Sequence, residues 1–65
     1  EVTINDGTQI FFSYRTPVAA YLPSEGYVRT SKFWSVTTSR HINKWLGSVT
    51  NVTEIDQSVL DNLAA

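Results

Sequence analysis

Apolar residues alternate with polar ones through the first half of the chain and take up a helical spacing in the second. That change of period predicts a sheet followed by helices. Val2 and Ile4, then Ile10, Phe12 and Tyr14, keep the two-residue period of half-buried strands, with Asn5-Asp6-Gly7 between them as a turn signal. Loop length decides the facing. A two-residue Asp6-Gly7 loop sets Val2 against Phe11, whereas a three-residue Asn5-Asp6-Gly7 loop, with Gly7 left-handed, sets Val2 against Ile10 and puts Ile10, Phe12 and Tyr14 on one buried face. The three-residue loop is therefore predicted. Thr16-Pro17 either bends one long strand or joins two, because proline lacks a donor and biases its predecessor away from helix. Strand tendency resumes at Val18, and the turn Pro23-Ser24-Glu25-Gly26 separates residues 18–22 from residues 27–36 as antiparallel neighbours.

After Thr37 and Thr38, either able to cap a helix, Ile42, Trp45 and Leu46 fall at i, i+3 and i+4, and Gly47 stands at the C-cap position. A helix over residues 38–46 follows. It is too short to persist in water alone, so its apolar stripe must pack on the sheet, leaving Arg40 and Lys44 nearly opposite. A second helix over residues 56–64 is indicated by Ile55, Val59 and Leu63, with Leu60 widening the face and Thr53 or Asp56 as its cap. Residues 49–55 read equally as a loop or a short strand. The predicted fold is α+β: an antiparallel meander of three to four strands, one amphipathic helix packed on it and a short C-terminal helix.

At 65 residues the chain is read as one small domain, near the size at which a single core barely offsets the conformational entropy lost on folding. With no Cys and one His, neither disulfides nor a closed Cys/His zinc site can staple it, and no metal or cofactor is expected. No apolar run approaches the roughly 20 residues that span a bilayer, so no membrane association is expected. No secretion signal is read at the start, although the lack of Met is compatible with a trimmed one. Asn51-Val52-Thr53 matches the glycosylation triplet, which matters only in a secreted chain.

The net charge of -1 conceals an asymmetry: residues 15–44 hold all five Lys/Arg against Glu25 alone, while the other acids lie towards the two ends. Within the basic middle, residues 29–46 contain the single His and both Trp. Arg29, Lys32, Trp34, Arg40, His41 and Lys44 are the candidate binding face, since single strands are held by cations interleaved with aromatic platforms. A solvated basic face balanced by the C-terminal acids is the bland alternative. If residues 31–35 continue a strand, Phe33 and Trp34 point to opposite faces and at most one is free to stack. His41 lacks a nucleophile or carboxylate at a useful spacing, since Ser39 points elsewhere on the helix, and no catalytic residues are assigned.

Three segments, Phe-Ser-Tyr-Arg-Thr-Pro-Val-Ala from Phe12, Tyr-Val-Arg-Thr from Tyr27 and Trp-Ser-Val-Thr-Thr-Ser-Arg-His-Ile-Asn-Lys-Trp-Leu from Trp34, resemble a family of small uncharacterised proteins encoded by bacteriophages, cyanophages among them. The resemblance covers about residues 10–46 and implies expression in the cytoplasm of an infected bacterium, a sheet carrying a helix, and no transferable activity. The expected function is non-enzymatic binding, of nucleic acid through residues 29–44 or, alternatively, of a host or phage protein, including a further copy of the chain. Oligomeric state is left open.

Overall fold

The computed structural model describes residues 2–3 and 6–64. The period-two half of the chain forms strands β1 (Val2–Thr3), β2 (Gln9–Ser13), β3 (Thr16–Leu22) and β4 (Gly26–Thr30), each antiparallel to the one before. Helix α1 (Val36–Leu46) then crosses over to β5 (Val52–Ile55), which lies parallel to β4, and helix α2 (Gln57–Leu63) ends the fold. The sheet runs in the order β1-β2-β3-β4-β5, so the fold is α+β with a mixed sheet. Within residues 49–55, open between loop and strand, Val52–Ile55 supply the parallel edge. Among the described residues, no helix is long and apolar enough to cross a membrane.

Val2 lies opposite Ile10 and Thr3 opposite Gln9, the register a three-residue loop requires, and Gly7 takes φ +92°. Ile4 and Asn5, which belong to that expectation, lie outside the described residues. The buried face expected to include Tyr14 is corrected. β2 stops at Ser13, which pairs with Thr16, and Tyr14-Arg15 form a two-residue hairpin loop with Tyr14 at φ 60° and exposed. A positive φ at the first loop position suits the twist of a tight hairpin. The join at Thr16-Pro17 therefore opens a new strand.

Pro17 is tolerated in this central strand because the ladder slips there. Phe11 faces Ala19 but Phe12 faces Pro17, leaving Val18 as an extra residue on β3, and the pairing with β4 begins only at Ala19. The bulge turns Val18 to the same side as Ala19, where both pack with Ile42 and Leu46 of α1. Ala20 faces the other way and packs with Val28 and Leu60 of α2. Adjacent small residues at the sheet centre thus let a helix approach from each side, and burying a Leu or Ile side chain there contributes about 1.5–3 kcal/mol.

Helix α1 starts earlier than predicted. Ser35, in extended backbone, caps it by accepting a hydrogen bond from Thr38 N at 3.0 Å, whereas Thr38 is inside the helix and buried. Gly47 ends it as expected, with φ +61° and its N–H donating to Asn43 O. In α2 the buried residue is Leu60; Val59, expected in the apolar stripe, is exposed, one helical position of about 100° away. Asp56 occupies the N-cap without a side-chain hydrogen bond to the backbone.

Candidate functional site

β4 ends at Thr30 rather than running to Val36. Ser31 N donates to Ile55 O at 2.8 Å, and Thr30 Oγ1 accepts from Lys32 N at 3.1 Å, which turns the chain away from the ladder. Residues 31–35 are consequently not a strand, and the expectation that Phe33 and Trp34 would split between core and solvent is overturned: Phe33 is 71% and Trp34 41% exposed. Lys32 Nζ lies 4.0 Å from the Trp34 ring centroid, and the indole Nε1 donates to Gln57 Oε1 at 3.1 Å. Gln57 Nε2 in turn donates to Pro17 O at 2.7 Å and to Asp61 Oδ1 at 3.1 Å. This bridge fixes the loop against the start of β3.

The antiparallel order of β3 and β4 brings Thr30 to the end of the sheet where the β2–β3 hairpin turns. That end gathers Tyr14 (78% exposed), Phe33, Trp34 and Val36 (60% exposed), together with Arg15 and Lys32. Of the large hydrophobic side chains exposed among the described residues, Val59 alone lies outside this group. Its cations are on the hairpin and the 31–35 loop, while Asp56 and Asp61 mark the α2 side.

A chain of hydroxyl groups ties α1 to the hairpin. Ser35 Oγ donates to Thr38 Oγ1 at 3.1 Å, Thr38 Oγ1 lies 3.2 Å from Ser13 Oγ, and Ser13 Oγ lies 3.1 Å from His41 Nδ1. With Ser35 as donor, one order runs Ser35 to Thr38 to Ser13 to His41 Nδ1, which puts a ring hydrogen on Nε2; the reverse at Ser13, with Nδ1–H donating to Ser13 Oγ, fits the same distances. Ser13 is only 3% exposed, so this Ser–His pair holds the helix down rather than presenting a hydroxyl to solvent. The Tyr14 and His41 rings lie 6.0 Å apart.

Further along α1, Phe11 and Trp45 stack at 5.3 Å, Tyr27 meets Trp45 edge-on at 5.8 Å, and Phe11, His41, Lys44 and Trp45 line an open groove of about 400 Å³. The six residues singled out by sequence therefore do not share one surface. Lys32 and Trp34 sit at the aromatic end, Arg40 is exposed on α1, and His41 and Lys44 border the groove. Arg29 lies on the α1 side of β4, and its Nε is buried without a hydrogen-bond partner. Sequence reasoning missed Tyr14, Val36 and the groove wall of Phe11. It also missed Ser13, whose inward place one period after Phe11 is the only local sign of its role. Among the described residues, no three or more His, Cys, Asp or Glu are grouped to hold a metal ion.

A family model described as a family of unknown function, DUF8033, matches residues 1–62, and the chain belongs to that family. No curated protein and no solved structure matches it.

Proposed function

We propose that this member of the family is a non-enzymatic binding module of phage type that takes single-stranded nucleic acid at its aromatic end, in the cytoplasm of an infected bacterium. The observation that carries the reading is that Tyr14, Phe33 and Trp34, all exposed, stand with Arg15 and Lys32 on the two segments at one end of the sheet. Exposed aromatic rings in so small a fold forgo burial that the core could use, which makes stacking on a partner their natural employment. Bases offer a π-face whatever their identity, and Lys32, already over the Trp34 ring, sets an ammonium beside the platform for the phosphate. Arg40, exposed one turn into α1, extends the positive side.

Labelled single- and double-stranded oligonucleotides titrated at two salt concentrations test the reading. Single strands are expected to bind better than duplex, Phe33→Ala and Trp34→Ala to weaken binding, and Arg15→Ala with Arg40→Ala to flatten the salt dependence by about 0.7 per lost phosphate contact. Absence of binding at about 50 mM salt, where electrostatic attraction is strong, overturns it. One observation favours a second reading: Val36, which offers a base nothing specific, extends the same patch as an apolar surface suited to a protein partner.

A further inference from the structure

The groove along α1 shares no lining residue with the aromatic end. Its floor and wall are the half-buried rings of Phe11 and Trp45, and its polar groups are Lys44 and His41. Among the described residues no carboxylate lines it, and Arg40 precedes Lys44 by one helical turn, so the formal charges that α1 brings to this apolar slot are positive. The imidazole is oriented as well: its Nδ1 is engaged by Ser13, which leaves Nε2 as the free ring nitrogen, a donor when Ser13 donates to Nδ1. A volume of about 400 Å³ is in the range of small-ligand sites. Tyr14, 6.0 Å from His41, joins the groove to the exposed aromatic patch.

We infer that this groove is a site for one nucleotide, its base against Phe11 and Trp45 and its phosphate held by Lys44 Nζ and His41 Nε2–H. The ligand chemistry follows from the lining: a planar apolar body satisfies the rings, and an anionic group satisfies two donors of one sign. The nucleotide is either free or part of the strand bound at the neighbouring end, and the strand source rests on the proposed function above.

The two tryptophans make the sources separable, since Trp45 reports on the groove and Trp34 on the aromatic end. The 15N-labelled chain is titrated with AMP, with adenosine and with a short oligodeoxyadenylate while both indole N–H signals are followed by NMR. AMP is expected to move the Trp45 signal and leave Trp34 unmoved, adenosine to bind about tenfold more weakly for want of the phosphate, and Lys44→Ala to weaken AMP by a similar factor with an unchanged melting curve. The oligonucleotide is expected to move both signals. If it moves Trp34 alone and AMP moves nothing, the groove assignment is wrong and strand binding at the aromatic end stands. If AMP moves Trp45 but the oligonucleotide leaves Trp34 unmoved, the groove takes free nucleotide and the strand reading fails. Silence of both indoles in every titration overturns both.

Discussion

Replacing Ser13 with Ala removes the middle of the hydroxyl chain that holds α1 to the hairpin. The residue is buried, and its Oγ lies within hydrogen-bond distance of both Thr38 Oγ1 and His41 Nδ1. In the order running from Ser35, Thr38 still accepts from Ser35 after the change, but its own proton loses its partner inside the core; His41, half-buried, can turn to water. An orphaned buried donor costs about 1–3 kcal/mol, so Ser13→Ala should lose about 2 kcal/mol. Thr38→Val leaves Ser13 its contact with His41 and should lose about 1 kcal/mol. The double variant removes the orphan along with its partner, and its loss should again be about 2 rather than about 3 kcal/mol, a coupling of about 1 kcal/mol. Against a total stability on the order of 3–10 kcal/mol for a chain of 65 residues, these losses are readily measured. Urea unfolding of the four proteins, with a shift for Ser13→Ala of about 1–2 M at slopes near the low end for small domains, completes the cycle. Additivity to within about 0.3 kcal/mol, or an unchanged Ser13→Ala midpoint, would refute the latch.

Three further outcomes follow from the packing. Trp45→Ala removes the stack on Phe11 and the edge contact with Tyr27; because the ring is only half-buried, the loss should be about 2–3 kcal/mol, near the low end for an aromatic truncation, and a melting temperature within a few degrees of wild type would contradict it. At position 14 the backbone is left-handed, so Tyr14→Gly should be more stable than Tyr14→Ala by about 1 kcal/mol in paired denaturation curves; equal stability would count against that hairpin geometry. The Thr8 backbone N–H, donating to Asp6 Oδ1, holds the Asp6 carboxyl below its ordinary range. Its small contribution to stability is therefore present at neutral pH and lost as pH falls through the lowered value, and an NMR titration should find Asp6 ionised at a pH where an unperturbed aspartate has begun to protonate.

The strand period before Tyr14, the loop length before Ile10, the turn ending at Gly26, the Ile42/Leu46 stripe and the Gly47 cap were all legible in the chain. Each is a contest among groups a few residues apart, in which proline, glycine and alternation have local and calculable effects. The exposed platform was half legible: Phe33, Trp34 and Lys32 stood out by type, but whether both rings face water depends on Thr30 and Ile55 ending β4, and Ile55 is contributed by a strand that arrives only after α1. Tertiary structure alone decided the rest. It chose β5 as a parallel neighbour of β4 and put the two helices on opposite sides of Ala19 and Ala20. It also half-buried Arg29, set Ser13 against residues 25 and 28 positions away, and bridged Pro17 to Gln57 across 40. Short-range preferences determine which elements a chain can form, but faces and partners follow from burying all the apolar stripes at once, a requirement that no single segment encodes.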